Sequence, residues 1–341
     1  MIAPNDWKVF EFHPGICYNE PGDSMYNQEI KERFLEESSK NIRYSTEGFR
    51  KVEEAEIKAG KDIAEMTKEE SLATLKSMGI IEDSSLRSFL STFKNYAKWC
   101  QDNHVFESTP GGFMVLKSSE IDLSDGIRNT LLQSDLDLLT TLQLVREFNE
   151  GYPEPPALCL AWLGLKAKEI IALTDDDVDM ERQTITVDSQ VVVTGFPNAI
   201  AQVLQQYIDC KVSERDHRTG WRQVIKDYST GMFLKKMLPR GSKEFGKPYG
   251  YSQITAAVSK LNAKLIDDGN PGRLKFDNVW NSGRYYKLWE TEQSGVDVTK
   301  PANRPIVEEI LHSSKSYYNA IRMYKAYKKA FGLDEEIPAQ K

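Results

Sequence analysis

The side chains that could do chemistry together lie in the last quarter of the chain, within residues 274–314. Arg284 is the only arginine of the segment LKFDNVWNSGRYYKLWETEQSG, and the spacing predicts that it begins a helix ending at Gly295. His312 follows one predicted helix later, in ILHSS. A guanidinium group can offer two parallel hydrogen bonds to one oxyanion, and an imidazole can carry a proton near neutral pH. Arg284 and His312 are therefore the first candidates for a functional site.

The elements that must position these residues form two predicted domains. Four amphipathic helices predict a small bundle over residues 26–107, in which Thr67 and Glu70 form a capping box and Gly79 ends a helix. Residues 108–125 are a predicted linker, and residues 126–330 are predicted to hold further helices and a hairpin that turns at 180–183. Residues 1–25 are a predicted irregular arm, and 331–341 a predicted tail. The predicted fold class is mainly α with a small β-hairpin or sheet.

The composition is that of a soluble globular protein, with 40% hydrophobic residues and a mean hydropathy of −0.51. No apolar run reaches membrane-spanning length and the first residues do not resemble a secretory signal, so we expect a cytoplasmic protein without a membrane partner. The cysteines are Cys17, Cys100, Cys159 and Cys210, with no CxxC pair. The sequence predicts neither a metal site nor a cofactor.

Charge is segregated along a chain whose net charge is −7. An acidic run occupies residues 175–181, whereas basic residues concentrate in 211–247 and again in 315–329. Segregated charge can steer a polyanion to one face of a protein that is acidic overall. We expect the basic stretches to face DNA and the acidic run to face away, although solvated helical faces remain an alternative interpretation.

The order of the predicted elements resembles that of the tyrosine recombinase (phage integrase) family from about residue 25 to residue 329. Three segments carry the resemblance: LGLKAKEIIAL leading into TDDDVDMERQTITV, Arg284 eleven residues before Gly295, and VEEILHSSKS around His312. In that family a helical, SAM-like core-binding domain and a catalytic domain close around DNA. The resemblance implies this two-domain fold, with double-stranded DNA as the partner; a homo-oligomer on DNA is left open.

The resemblance also implies a catalytic set, and this chain departs from it. Lys166 stands where the family has its first arginine, Arg284 and His312 match, and Tyr324 is the candidate nucleophile, with Tyr317 and Tyr318 as further candidates. Asn281 replaces a histidine that transfers a proton, and the hairpin ITVDSQVVVTG has no lysine. Because several groups that stabilise the reacting phosphate are missing, we expect DNA binding without strand cleavage.

Three functions remain open from the sequence. The first is a sequence-selective DNA-binding protein that no longer recombines, similar to the degenerate recombinase-like lysogeny repressors of SPβ-type Bacillus phages. The second is a divergent integrase acting through Lys166, Arg284, His312 and Tyr324, and the third is a helical protein-interaction module. The side chains predicted to contact DNA are Lys166, Arg222, Lys235, Lys236, Arg240, Lys243, Arg284, His312, Lys315, Arg322 and Lys325.

Overall fold

The computed structural model describes residues 25–38, 42–145, 151–213, 224–311 and 317–334. The chain divides into two compact units. The first comprises residues up to 78 together with Ser84–Ile121, and the second comprises Gly79–Asp83 together with the residues from Asp122 onwards. Within the described ranges, no helix is both long enough and apolar enough to cross a membrane. The predicted arm over residues 1–25 falls almost wholly outside the described residues.

The first unit is a helical bundle. Its helices are α1 (Gln28–Ser38), α2 (Ile42–Ala59), α3 (Lys68–Ser77), α4 (Asp83–Asp102) and the single turn α5 (Gly112–Val115). The capping box predicted for α3 is present, because Thr67 Oγ1 accepts from the Glu70 amide and the Glu70 carboxylate accepts from the Thr67 amide. The helix ends before Gly79, whose φ of +61° suits a residue without a Cβ atom. The four predicted helices are confirmed.

Aromatic rings fill the interior of this bundle. Phe34 of α1 packs edge-on against Phe49, Tyr96 and Trp99, with ring centroids between 5.2 and 6.0 Å apart. Phe93 contacts Phe113 of α5 at 5.1 Å. Because large apolar side chains recur on one face of each helix, their burial holds the bundle together.

A charged network is enclosed in the same interior. The Lys31 ammonium lies 2.5 Å from the Glu56 carboxylate and 4.0 Å from that of Asp62, and all three side chains are fully buried. Asp62 also accepts from the Tyr96 hydroxyl at 3.0 Å. Burial raises the pKa of Glu56 to about 7, because the charged carboxylate is removed from water. The nearby charge of Asp62 raises this pKa further, and the charge of Lys31 lowers it only in part.

The second unit is larger and contains nine helices within the described ranges. They are α6 (Ser124–Thr130), α7 (Asp135–Leu144), α8 (Glu154–Trp162), α9 (Ala167–Ala172), α10 (Asn198–Asp209), α11 (Tyr251–Asp267), α12 (Phe276–Gln293), α13 (Arg304–Leu311) and α14 (Tyr317–Phe331). Every residue of α8 is buried, as expected for the apolar segment PPALCLAW. Helices α7, α10 and α12 pack against α8, which therefore forms the centre of the unit.

In the described part of this unit, two small antiparallel sheets accompany the helices. The first joins β1 (Val178–Asp179), β2 (Thr184–Val187) and β3 (Gln190–Thr194) in that order. The predicted turn at 180–183 is confirmed, but a second turn at Asp188 and Ser189, both with positive φ, adds a strand that the sequence did not predict. The second sheet joins β4 (Val212–Ser213), β5 (Val224–Lys226) and β6 (Met237–Pro239) and was not predicted either. The fold class, mainly α with small antiparallel sheets, is confirmed.

The prediction that Arg284 begins a helix is wrong. Helix α12 begins eight residues earlier, at Phe276, and Arg284 lies in its middle. The apolar spacing of Phe276, Val279 and Trp280 continues the helical face towards the N-terminus, which explains the earlier start. The helix ends at Gln293, just before Gly295, whose φ is +95°.

We expect the stability of the first unit to fall as pH rises from about 5 to about 7. The folded-state pKa of Glu56 is above its ordinary value, so the native state holds this proton more tightly than the unfolded chain does. The stabilisation is present at low pH and is lost as pH rises through about 7. Hydrogen exchange of the α2 amides at several pH values, corrected for intrinsic rates, measures this slope. Glu56→Gln should lower the stability but remove the slope, whereas Glu47→Gln, an exposed change on α2, should leave the slope intact.

Candidate functional site

Arg284 is a buried cation for which the described residues provide no counter-charge. Its side chain is 6% exposed, and its Nε atom has no hydrogen-bond acceptor among the described residues. Burial lowers the pKa of Arg284 to about 10, so the group still carries its charge at neutral pH. A buried charge normally has a counter-charge, because removing it from water is costly. Arg284 is therefore the candidate centre of the functional site.

Trp280 holds the guanidinium in place from one turn earlier on the same helix. The central carbon of the Arg284 guanidinium lies 3.6 Å from the centroid of the Trp280 ring. The indole Nε1–H donates to the carbonyl oxygen of Gly164 at 2.8 Å, which fixes the ring against the end of α8. The i, i+4 spacing places both side chains on one face of α12. The stacking offsets part of the cost of burying the charge.

A cavity of about 300 Å³ opens beside Arg284. Its walls come from the end of α8, the end of β3, the middle of α12 and the C-terminal half of α13. Among the residues that line it are Gly164, Gly195, Lys287, Glu290 and Glu309. Lys287 and Glu290 pair with each other at 3.3 Å, so Glu290 is not committed to Arg284.

Lys166 lies at a neighbouring cavity rather than in the same one. It precedes α9, its side chain is exposed, and it lines a cavity of about 490 Å³. Trp280 also lines this second cavity, while its ring carries the Arg284 guanidinium of the first. Trp280 therefore contributes to both cavities, the one lined by Lys166 and the one lined by Arg284 through its stacked guanidinium. The sequence did not assign Trp280 to the site, although its i, i+4 spacing from Arg284 was a usable signal.

Tyr324 is buried, and its hydroxyl group is already hydrogen-bonded. The side chain is fully buried, and its hydroxyl donates to the Glu292 carboxylate at 2.6 Å. The same carboxylate accepts from Lys328 at 2.8 Å. Burial and then the hydrogen bond to Glu292 raise the pKa of Tyr324 well above its usual range. Tyr324 lines neither cavity, so the structure does not bring this phenol to Arg284.

The alternative tyrosines are placed differently. Tyr317 is buried and its hydroxyl donates to the carbonyl oxygen of Val298 at 3.1 Å. Tyr318 is 73% exposed and packs edge-on against Tyr317. Neither lines the cavity at Arg284. His312, Lys315 and Arg222 lie outside the described residues.

Two predicted DNA-binding lysines are buried in ion pairs. Lys235 is 5% exposed and its ammonium lies 2.5 Å from the carboxylate of Asp175, while Lys236 is 8% exposed and pairs with Glu244 at 3.3 Å. The expectation that Lys235 and Asp175 lie on opposite sides is therefore wrong. Sequence-distant backbone contacts explain the error, since the Asp175 amide donates to the carbonyl oxygen of Gly231. We leave both lysines out of the candidate site.

The other predicted cations are exposed. Arg240 and Lys243 lie in the loop after β6, and Lys325 lies on α14. Arg322, also on α14, is exposed but pairs with Asp83 at 3.1 Å. Arg240, Lys243 and Lys325 are thus the members of the predicted set that solvent, or a phosphate backbone, can reach most directly.

A second basic surface lies on the first unit, on α4. Between Asp83 and Asp102 this helix has no acidic residue, which is notable in a chain of net charge −7. Its outward residues are serine, asparagine, lysine and arginine, namely Ser84, Arg87, Ser88, Ser91, Lys94, Asn95 and Lys98. Arginine, lysine, serine and asparagine are the side chains that most often contact DNA phosphates and base edges. The absence of acidic residues was a signal that the sequence analysis missed.

The bundle matches a known protein family. Residues 25–102 match the family described as MrpR, N-terminal core-binding domain. That range ends with α4, so the match covers helices α1–α4 of the bundle and none of the helices α6–α14. A comparison with curated protein sequences gives no match.

Solved structures similar to this chain are recombinases and integrases. The crystal structure of XerA recombinase is 14% identical, covers 91% of this chain and 99% of its own, and has a TM-score of 0.40. The Tn1549 transposon integrase in complex with circular intermediate DNA is 14% identical, covers 92% and 100%, and has a TM-score of 0.35. A lambda integrase dimer bound to a core site is 10% identical, covers 93% and 100%, and has a TM-score of 0.35.

We expect Gly283→Ala to destabilise the second unit. A Cβ atom at Gly283 would lie 1.9 Å from the carbonyl oxygen of Trp162, so α12 and the end of α8 would have to separate. Overpacking of this kind costs about 1–3 kcal/mol or more. Denaturant unfolding, compared with Gly250→Ala, measures the effect. A Cβ atom at Gly250 meets only the flexible end of Gln253, at 3.6 Å or more, so that variant should behave as the parent does. Equal stability of the two variants would contradict the close approach.

Proposed function

We propose that this protein binds double-stranded DNA sequence-selectively, on a recombinase-like scaffold, and does not cut it. The observation that carries the proposal is the buried guanidinium of Arg284 at the wall of a cavity, where its Nε atom has no acceptor among the described residues. A phosphate group supplies the counter-charge and the two acceptors that a guanidinium fork can engage. We assign Lys166, which lines the neighbouring cavity, to an adjacent phosphate as a point charge.

Exposed cations give each unit, taken by itself, further candidate contacts to DNA. In the second unit they are Arg240, Lys243 and Lys325, and in the first unit the outward face of α4 has the composition of a DNA-binding surface. The match of residues 25–102 to a core-binding domain supports a DNA-contacting role for the first unit. Contacts to phosphates position a protein on the duplex, and contacts to base edges select the sequence. We assign the first task to the lysines and arginines and leave the target sequence open.

The residues at the positions where a cleaving enzyme needs its nucleophile, phosphate ligand and proton donor disfavour cleavage. Tyr324 donates to Glu292 and is fully buried, so a nucleophilic phenolate is not available in this conformation. Lys166 cannot form the two parallel bonds of an arginine, and Asn281 cannot transfer a proton. A loss of several such groups leaves little rate enhancement.

A DNA-binding protein of this kind fits a regulator, and we propose a transcriptional repressor of a phage or other mobile element, acting in the cytoplasm. A divergent integrase is the second candidate, and the exposed phenol of Tyr318 is the observation that favours it. A homo-oligomer on DNA is part of the proposal, because repressors bind paired half-sites as dimers.

We expect Arg284→Met to weaken DNA binding by roughly 10- to 100-fold while leaving the free protein at least as stable. The loss of a charged hydrogen-bond donor costs about 1.5–3 kcal/mol in the complex. In the free protein, an apolar side chain replaces a buried charge that has no counter-charge, and that exchange is neutral or stabilising. Fluorescence anisotropy with a bound duplex and thermal unfolding measure the two effects.

Arg284→Lys separates charge from geometry in the same assay. It should recover only part of the affinity, because an ammonium group lacks the planar fork. Arg182→Ala is the matched control, since Arg182 is exposed and pairs with Asp179 in the first sheet. A structural role alone would show as a fall in the melting temperature of Arg284→Met with unchanged DNA affinity, and that result would overturn the assignment.

We expect no covalent complex on a nicked suicide duplex that carries the bound sequence. An active tyrosine would be trapped on such a substrate and would appear as a shifted band on a denaturing gel. Covalent capture that Tyr324→Phe or Tyr318→Phe abolishes would establish the integrase and name its nucleophile. Binding without capture in the parent protein is the expected result.

A further inference from the structure

The cavity next to Lys166 is larger than the one at Arg284 and differs from it in chemistry. Three aromatic side chains line it: Tyr251 from the first turn of α11, Phe276 from the first turn of α12, and Trp280 one turn later. Buried Ala161 and Leu165 complete its apolar part. Its volume is about 490 Å³, which falls within the range of cavities that enclose a small organic molecule.

The rim of this cavity offers both donors and acceptors. Lys166 and Lys168 supply ammonium groups, and Glu169 and Asp277 supply carboxylates. The Glu169 carboxylate accepts from the Lys166 backbone amide at 2.6 Å, so it is partly committed to the start of α9. Asp277 is exposed, and no hydrogen bond ties its carboxylate to another described residue. A ligand with only negative charge would meet Asp277 unfavourably, whereas one with an N–H edge would bind to it.

The Trp280 indole is preorganised for stacking with a planar ligand. Arg284 stacks on the ring at 3.6 Å and the indole N–H donates to Gly164, and both contacts stabilise this orientation of the ring. A ring that is already held costs little further conformational entropy when it stacks. Bases stack on aromatic side chains regardless of sequence, because every base has a π-face.

We propose that this cavity binds one unpaired nucleobase. The base stacks among Tyr251, Phe276 and Trp280, an N–H group on its edge donates to Asp277, and its phosphate lies at Lys166 and Lys168. Two sources share this chemistry. One is a nucleotide turned out of the bound duplex, which rests on the proposed function. The other is a free nucleotide. This source does not depend on the proposed function, and the nucleotide would compete with DNA for Lys166.

The experiment has two arms and uses the full chain. In the first, the four deoxynucleoside 5′-monophosphates are titrated into the protein and followed by ligand-observed NMR. In the second, anisotropy compares a fully paired duplex with the same duplex carrying a single-nucleotide bulge. An unpaired base costs less to unstack, so a base-binding cavity prefers the bulged duplex. Each arm is run on the parent, Tyr251→Ala and Tyr228→Ala.

Tyr251 and Tyr228 are matched, because they are 50% and 49% exposed and both lie in the second unit, but only Tyr251 lines the cavity. We expect Tyr251→Ala to reduce nucleotide binding, or the preference for the bulged duplex, by roughly tenfold, the scale of one base–aromatic stack. Tyr228→Ala should change neither. Phe276→Leu, which keeps the apolar volume and removes the ring, should repeat the effect of Tyr251→Ala.

The outcomes of the two arms distinguish nucleobase binding in the cavity from the proposed binding of double-stranded DNA. Tyr251-dependent nucleotide binding supports a free nucleotide, and a Tyr251-dependent bulge preference supports a base from DNA. If the protein binds no duplex, the proposed function fails and the nucleotide arm alone decides. Neither effect, or either effect undiminished in Tyr251→Ala, overturns the inference.

Discussion

Gly283 of α12 passes so close to the end of α8 that its Cα hydrogens face the carbonyl oxygen of Trp162, where a Cβ atom would lie only 1.9 Å away. Close approach of two backbones is possible only without a side chain. The contact fixes α12 against α8, the fully buried helix at the centre of the unit. Arg284 is the next residue along α12, and Gly164, two residues beyond Trp162, accepts from the Trp280 indole. The position of the cation therefore follows from the packing of two helices and not from ion pairing.

A buried guanidinium that is positioned by helix packing and not by an ion pair lowers the stability of the free protein. Burial disfavours its charge and lowers the pKa of Arg284 to about 10, while stacking on Trp280 offsets part of that cost. The first unit treats its buried charge differently, because Lys31 is enclosed with two carboxylates and the network is closed. Lys235 and Lys236 are likewise buried in ion pairs, whereas the Arg284 Nε atom has no hydrogen-bond acceptor among the described residues. That contrast is the strongest physical reason to regard Arg284 as a binding group and Lys31 as a structural one.

Local chemistry made much of the fold predictable. The Thr67–Glu70 capping box, the apolar segment of α8 and the turn at 180–183 each follow from residues a few positions apart. The second sheet did not follow, because its strands have two or three residues each and pair across long connections. Lys235 was misassigned for the same reason, since its partner Asp175 is 60 residues away. Within the site, Arg284 could be found from its motif, but its lack of a partner could not, because burial is a property of the packed unit.

Arg284 and Tyr324 differ in their hydrogen bonds. The Tyr324 hydroxyl donates to Glu292, whereas the Arg284 Nε atom has no acceptor among the described residues. Glu292, which accepts from Tyr324, lies on α12 two turns after Arg284, so the helix that presents the cation also retains the phenol. Delivering Tyr324 to a phosphate would break its bond to Glu292, leave Lys328 with less of its network, and expose a fully buried ring. A hydrogen bond to a charged group contributes about 1.5–3 kcal/mol, and burial of an aromatic ring adds a similar amount. A cleaving enzyme would have to recover that cost from DNA in every turnover, whereas a binding scaffold never meets it. The physical balance at Tyr324 therefore favours the buried, hydrogen-bonded state of this phenol.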